Sequence, residues 1–324
     1  MPRKLRIEYE GAIYHVISRG NYRSAVFARE TTKQAFLRCL DEASQKAGWV
    51  VHAWCVMSNH YHLCVETPRP NLVEGMRWLQ STFAIRFNRL RKERGHLFQG
   101  RYKALLVAPE AVGAVCHYVH LNPVRAGLVP TAELPKYRWS SIPDFLAPKL
   151  RPRWLSVVAA LIDAGGLDDT PAGRARYLEY LELLQQDEPA KRELGFAEMS
   201  KGWAIGTRDF RKELIQVHAH LAKALSTGEG SPREIAQELW EERLSAYLHA
   251  LGKKPEHIFH EPKGADWKVV LAATMKQQTT ASNPWLARHL HMGSPFRLSR
   301  LASAYRQDPG RFEPYTTRIA KCKV

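Results

Sequence analysis

The sequence VVHAWCVMSNHYHLCVET at residues 50–67 contains two segments that are typical of β-strands. Val50–Met57 and His60–Thr67 are rich in β-branched and aromatic residues, which favour extended structure. Ser58 and Asn59, which lie between the two segments, are residue types common in turns. The stretch therefore predicts two strands joined by a short turn.

Strand and helix patterns alternate on both sides of this stretch. Further strands are predicted at 12–18 and 104–107, and helices at 31–48, 71–94 and 110–121. The last helix is predicted to end at Asn122-Pro123, because the residue before a proline disfavours helical geometry. The alternation predicts a mixed α/β or α+β domain over residues 1–148.

The remaining chain, residues 149–324, is predicted to be mostly α-helical. Three prolines, Pro143, Pro148 and Pro152, interrupt the apolar periodicity, and we place the domain boundary there. Helical spacing then dominates at 172–186, 208–225 and 232–251.

A histidine pair lies in the second predicted strand of the opening stretch. Alternate residues of a strand point to the same face, so His60 and His62 project together and Tyr61 projects to the other side. Two neutral imidazoles on one strand form a ready pair of metal ligands. Taken alone, however, such a pair more often consists of ordinary surface or core histidines.

A tyrosine and an asparagine share one face of the helix that ends near residue 122. Tyr118 and Asn122 are four residues apart, which places their side chains one turn from each other. The amide oxygen of Asn122 suits Mg²⁺ or Mn²⁺, and the Tyr118 oxygen could lie near the same ion. The alternative is that Tyr118 is a half-buried packing residue.

Together these motifs resemble a known family. Asn59–His62, followed by the segment Tyr118–Gly127, is similar to the single-tyrosine HUH transposases (IS200-like), and most similar to the REP-associated tyrosine transposases. Segments 14–20, 98–103 and 137–141 agree with it, so the resemblance covers residues 9–145.

The resemblance implies both a fold and a chemistry. The fold would be an antiparallel sheet of four or five strands flanked by helices, of the ferredoxin-like or RRM-like type. His60, His62 and Asn122 would bind a divalent metal, Mg²⁺ or Mn²⁺. Tyr118 would attack a phosphodiester of single-stranded or hairpin DNA at repeat sequences, leaving a 5′-phosphotyrosine bond and a free 3′-OH, and reversal with another strand would give strand transfer.

Two departures from the family pattern concern tyrosines. Tyr61 stands where the family usually has a bulky apolar residue, and we expect it to pack away from the metal. Tyr14, Tyr22 and Tyr102 also lie in the domain, but motif position and the spacing to Asn122 favour Tyr118 as the nucleophile.

The charge of the chain favours an anionic partner. The net charge is +16, and residues 1–150 hold 22 Lys and Arg against 11 Asp and Glu. Predicted DNA-binding residues form a basic stretch near aromatic side chains: Arg86, Arg89, Arg91, Lys92, Arg94, Arg101 and Lys103. The alternative for such a stretch is a solvated helix face.

A second candidate DNA-binding element lies at residues 283–303. The segment resembles a helix-turn-helix in which Trp285, Leu286 and Leu290 pack inside and Met292-Gly293 forms the turn. Ser294 would cap a second helix. That helix would present Arg297 and Arg300 to DNA. A generic helical hairpin is the alternative.

Composition limits the remaining functional classes. The five cysteines form no C-x-x-C pair, and the sequence has neither a signal peptide pattern nor a long apolar run. We therefore expect a cytoplasmic protein without a membrane partner, either a monomer or a homodimer. Besides the transposase, two functions stay open: a non-catalytic DNA-binding transcriptional regulator on the same scaffold, and an RNA-binding protein on an RRM-like sheet.

Overall fold

The structure is a computed structural model that describes residues 7–217 and 233–322. The chain divides into two compact units: the first is Arg6–Leu214, and the second includes Ile215–Val324. The first unit extends well past the boundary that the sequence placed between residues 148 and 149. The predicted α+β region followed by a helical region is confirmed, but the residues directly after 148 pack within the first unit.

Five strands form one mixed sheet in the first unit. They are β1 (Ala12–Arg19), β2 (Val50–Val56), β3 (His60–Thr67), β4 (Lys103–Val107) and β5 (Ala204–Ile205). The order is β2-β3-β1-β4-β5, with antiparallel pairs among the first four strands and a parallel pair between β4 and β5. The resemblance implied an antiparallel sheet; the short fifth strand, Ala204–Ile205, pairs in parallel with β4 and makes the sheet mixed.

Two helices and the first four strands have ferredoxin-like connectivity. Helix α1 (Glu30–Ala47) follows β1 and α2 (Leu72–Arg91) follows β3, which gives the order β-α-β-β-α-β. Tyr61 is fully buried, and its ring centroid lies 4.5 Å from that of Phe36 and 6.1 Å from that of Phe27. Tyr61 therefore packs on the face opposite the histidines, as expected.

Helix α3 (Val112–Arg125) covers the other face of the sheet. It was predicted to end at Asn122-Pro123, but it continues for two further residues. Pro123 removes only its own donor, while the Ala126 amide donates to the Asn122 carbonyl (3.0 Å). The helix ends before Gly127, whose φ of +67° suits glycine.

Four further helices lie in the described part of the first unit, and a fifth lies where the first unit meets the second in sequence. They are α4 (Ile142–Leu146), α5 (Val158–Asp163), α6 (Pro171–Gln186) and α7 (Glu188–Glu193), followed by α8 (Arg208–Val217), which spans the division between the units. Helix α3 approaches α5 closely at Gly113, where an added Cβ would lie 2.1 Å from the Asp163 Cβ. Any larger side chain at residue 113 would push the two helices apart.

A buried hydrogen-bond network ties α3 to the helices that follow residue 140. His117 Nε2 lies 2.9 Å from an Asp163 carboxylate oxygen, and His120 Nε2 lies 2.8 Å from the Ser141 hydroxyl. The Tyr177 hydroxyl lies 3.1 Å from His117 Nδ1 and 2.8 Å from His120 Nδ1. Asp163 of α5, Tyr177 of α6 and Ser141, which directly precedes α4, therefore help to fix the position of α3.

The stability of this network is expected to depend on pH through His120. Burial, with a smaller effect of the neighbouring His117, lowers the pKa of His120 to about 3. In the unfolded chain this histidine has a pKa of ~6.5, so the unfolded state takes up the proton first as the pH falls. The stability that neutral His120 provides above pH ~6.5 is therefore lost progressively as the pH falls towards the folded-state pKa. Protonation linked to His120 alone should lower the free energy of unfolding by about 2–3 kcal/mol when the pH falls from 7 to 4.5.

Urea unfolding at these two pH values tests this with the variant His120→Gln. The variant is expected to be less stable than the wild type at pH 7, because it loses hydrogen bonds to Tyr177 and Ser141. On acidification, however, it should lose about 2–3 kcal/mol less than the wild type, since glutamine does not titrate. Equal losses in the two proteins would refute the assignment.

The described part of the second unit is helical. It contains α9 (Arg233–Ala250), α10 (His257–His260), α11 (Asp266–Gln278), α12 (Asn283–His289), α13 (Pro295–Gln307) and α14 (Tyr315–Ala320). Its core surrounds α11 and includes Trp267, Leu271 and Leu286. Residues 218–225 and 232, which belong to helices predicted from the sequence, lie outside the described residues. Nowhere in the ranges 7–217 and 233–322 is a helix both long and apolar enough to span a bilayer.

Candidate active site

Three histidines from adjacent strands project from the same face of the sheet. In the β1–β3 register, His15 lies opposite Cys64, Ile17 opposite His62 and Arg19 opposite His60. Opposed residues share a face, and alternate residues of β3 do so too. His15, His60 and His62 therefore face α3, and the ring centroids of His60 and His62 are 5.0 Å apart.

Helix α3 places the predicted nucleophile against this histidine cluster. The Tyr118 ring meets the His62 ring edge-on, with centroids 5.8 Å apart, and it lies 5.7 Å from the His15 ring. One turn further along, the Asn122 amide nitrogen donates to the Tyr118 carbonyl (2.9 Å). The Asn122 oxygen therefore stays available as a ligand, and both side chains are almost fully buried.

A chain of hydrogen bonds fixes the tautomer of His62. His15 Nδ1 lies 2.7 Å from the Met199 carbonyl, which can only accept, so this nitrogen carries the proton. Burial lowers the pKa of His15 to about 4, so its ring is neutral at pH 7 and its Nε2 is an acceptor. His62 Nδ1, 2.9 Å away, must donate to it. The Nε2 lone pair of His62 is then free to bind a metal.

The same logic applies to His60. Its Nδ1 lies 2.6 Å from the Asn59 side-chain oxygen, and the Asn59 amide nitrogen donates to the Arg23 carbonyl (3.4 Å), which sets the amide orientation. His60 thus donates from Nδ1 and presents the Nε2 lone pair. Burial, and then the charge of Arg19, lowers the pKa of His60 to about 4. Burial also holds the pKa of His62 well below its usual value.

These donors suit the metal that the resemblance implies. In the described residues no group of three or more His, Cys, Asp or Glu side chains could hold a metal ion. A site here would need a further donor besides the two imidazoles, and the candidate is the amide oxygen of Asn122, one turn from Tyr118 on α3. Two neutral imidazole nitrogens and a neutral oxygen form a donor set that Mn²⁺ and, with added water, Mg²⁺ accept. His60, His62 and Asn122 therefore fit this group.

A segment from the end of the first unit covers the tyrosine. The Phe196 ring meets the Tyr118 ring edge-on at 5.5 Å, and the Arg125 guanidinium lies 4.5 Å from the Tyr118 centroid. Strand β5 anchors this segment, since the Ala108 amide donates to the Ile205 carbonyl (2.8 Å). Tyr118 is left only 6% exposed.

Sequence reasoning missed four residues of this site: His15, Arg125, Phe196 and Met199. The position of His15 carried a signal, because it shares a strand face with Ile13 and Ile17 and is a polar residue among apolar ones. Met199 contributes only a backbone carbonyl, which no sequence pattern reveals.

The predicted basic stretch contains residues in different environments. Arg86 makes two 2.9 Å bonds to the Glu42 carboxylate, and Arg91 makes a 2.7 Å bond to Glu93. Lys103 donates to the Ser200 carbonyl (2.9 Å). The remaining predicted residues of the stretch are exposed: Arg89, Lys92, Arg94 and Arg101. Arg86 is thus the least available for phosphate binding.

The predicted C-terminal helix pair is present in the second unit. Trp285, Leu286 and Leu290 are buried, and the Ser294 hydroxyl accepts from the Arg297 amide (3.2 Å) at the start of α13. Arg297 and Arg300 are exposed on α13. DNA binding by this helix stays a prediction.

Comparison with known proteins gives two matches and one negative result. Residues 8–122 match the model of the family described as "Transposase IS200 like". A solved structure described as "Structure of the REP associates tyrosine transposase bound to a REP hairpin" is 18% identical, with 47% of this chain and 89% of that chain covered and a TM-score of 0.39. No curated protein matches the chain. His60, His62, Tyr118 and Asn122 all lie inside the segment that matches this transposase model.

Proposed function

We propose that the chain is a metal-dependent single-stranded DNA endonuclease and strand transferase that cleaves through a covalent 5′-phosphotyrosine intermediate. One observation carries the proposal: the Tyr118 ring lies against His62, whose hydrogen bonds leave its Nε2 lone pair free. The proposed substrate is single-stranded DNA beside a hairpin at repeat sequences, the substrate class of the family that the motifs resemble.

The side chains have distinct roles in this proposal. His60, His62 and Asn122 would hold Mg²⁺ or Mn²⁺, which supplies charge neutralisation at a nonbridging phosphate oxygen. The Tyr118 oxygen attacks phosphorus, the bond from phosphorus to the 3′-oxygen breaks, and that oxygen takes a proton to become a free 3′-OH. The covalent bond conserves the energy of the phosphodiester, so a second 3′-OH can reverse the step without ATP.

Arg125 would assist at the tyrosine. Its guanidinium lies 4.5 Å from the Tyr118 centroid and 5.6 Å from that of Phe196. A fixed cation there stabilises the negative charge that collects on the phosphate during attack, and on the phenolate when the intermediate is resolved.

A covalent-adduct assay tests the proposal. The full chain is incubated with end-labelled single-stranded hairpin DNA and Mn²⁺ or Mg²⁺, and denaturing gels are searched for a protein–DNA band. The expected result is a band that chelator prevents. DNA binding without a band, over a wide set of hairpins, would instead favour the regulator, in which Arg297 and Arg300 of α13 would contact DNA.

His15 is predicted to act as a positioning residue for His62. His15→Leu removes the acceptor for His62 Nδ1, so the free protein should bind Mn²⁺ about 10- to 100-fold more weakly. His15→Gln offers an amide that can donate to the Met199 carbonyl and accept from His62, and it should retain most of the affinity. Calorimetric titration with Mn²⁺, beside the unfolding midpoint of each variant, measures the effect. Equal affinity of folded His15→Leu and wild type would refute the role.

A further inference from the structure

The side chain of Tyr22 is more exposed than any other large hydrophobic residue in the described chain, at 92%. Its backbone has φ of +50°, and that of the next residue, Arg23, has φ of +58°. Two consecutive non-glycine residues in the left-handed region each cost of the order of 1 kcal/mol or more. Burial of the tyrosine does not offset this cost, because its ring lies in water.

The surrounding structure imposes this conformation on the loop. The Gly20 amide donates to the Asn59 carbonyl (2.8 Å), and the Asn21 amide donates to the Leu97 carbonyl (2.9 Å). A Cβ at Gly20 would lie 2.5 Å from the Ser24 carbonyl oxygen, so only glycine fits. The Asn59 side chain bridges the Arg23 carbonyl and His60 Nδ1. The loop that presents Tyr22 is therefore attached directly to the strand that carries the histidines.

Tyr22 borders a cleft with a basic rim. The cleft has a volume of about 340 Å³, at the lower end of the range for small-ligand sites. The end of α2 and the loop after it contribute Arg91, Arg94 and His96, all exposed. Glu93 is the one acidic residue of the lining, and its carboxylate is bonded to Arg91 (2.7 Å). An exposed aromatic ring beside guanidinium groups suits a base with its phosphate.

We propose that Tyr22 and this cleft form a subsite for one unpaired nucleobase of the substrate strand. The base stacks on the Tyr22 ring, and its phosphate contacts Arg94. The subsite would hold the strand beside His60, to which the loop is connected through Asn59. The inference rests on the proposed function, since it assigns a place to the DNA that the tyrosine would cleave.

Binding measurements in a Tyr118→Phe background test the subsite without interference from cleavage. Fluorescence anisotropy with a labelled single-stranded oligonucleotide should give a Kd about 5- to 160-fold weaker for Tyr22→Ala, the range typical of losing one base–aromatic stack. Tyr22→Phe keeps the ring and should stay within about twofold. Leu150→Ala, at an 81% exposed residue of the same unit, is the matched control and should leave the Kd unchanged.

A scan with abasic sites locates the base. An abasic site at the stacked position should weaken wild-type binding by the same factor and abolish the effect of Tyr22→Ala. An unchanged Kd for Tyr22→Ala, equal loss in Tyr22→Ala and Leu150→Ala, or failure of the chain to bind single-stranded DNA would each overturn the subsite. The covalent-adduct assay with Tyr118 intact is separate, so a chain that forms the adduct without needing Tyr22 would retain the proposed function.

Discussion

Replacing Tyr118 by phenylalanine is expected to abolish the covalent protein–DNA adduct. The substitution removes one oxygen atom, the proposed nucleophile, and keeps the ring that packs against His62, Phe196 and Arg125. Loss of a nucleophile typically lowers the rate by roughly 10⁴-fold or more. The measurement is the rate of adduct formation on denaturing gels, with Mn²⁺ affinity and DNA affinity recorded for the same protein.

Tyr14→Phe is the matched control. Tyr14 belongs to the same domain, but it points to the opposite face of the sheet, where its hydroxyl donates to the Ile7 carbonyl (3.0 Å). Burial raises the pKa of Tyr14 far above its usual value, which makes it a poor nucleophile. The adduct should persist in this variant. Undiminished adduct formation by Tyr118→Phe would show that another residue attacks the DNA.

Replacing His62 by alanine is expected to have the second-largest effect. The change removes a proposed ligand and also leaves the buried Nε2 of His15 without its donor. Mn²⁺ affinity and the adduct rate should therefore fall by more than the roughly 10- to 100-fold that loss of a ligand's hydrogen-bond partner costs. Calorimetric titration with Mn²⁺ and the gel assay measure the two quantities.

The control for this variant is His260→Ala, which removes an exposed histidine of the second unit. It should leave Mn²⁺ affinity and adduct formation unchanged. The variants of His62 and His15 have a predicted order of Mn²⁺ affinity. His62→Ala should bind Mn²⁺ most weakly, His15→Leu less weakly, and His15→Gln most tightly of the three. If His62→Ala bound Mn²⁺ as tightly as His260→Ala, the proposed metal site would be wrong.

Much of the first unit could be predicted because its signals are local. The strands at Val50–Val56 and His60–Thr67 begin and end within one residue of the predicted bounds. Alternation along a strand correctly gave opposite directions for His62 and Tyr61. The spacing of four residues likewise placed Tyr118 and Asn122 on one face of the helix, near the end of α3. These features depend on periods of 2 and 3.6 residues, which a sequence displays directly.

The features that escaped prediction depend on distant partners. The Met199 carbonyl that orients His15 lies 184 residues away in sequence. The Glu42 carboxylate that binds Arg86 is 44 residues away and on another helix. Strand β5 has only two residues, too few for a strand pattern. The helices that follow residue 148 belong to the same compact unit as the sheet, and the prolines near residue 148 do not reveal that packing.

The late position of β5 has a consequence for protein synthesis. At roughly 5–20 residues per second, about 5 to 20 seconds separate translation of β4 from translation of the segment around Met199 and β5. During this interval β4 has no β5 to pair with, and His15 lacks its Met199 carbonyl partner. The proposed metal-binding imidazole of His62 is therefore oriented only after Met199 has been synthesised. Assembly of the site is thereby coupled to the progress of translation.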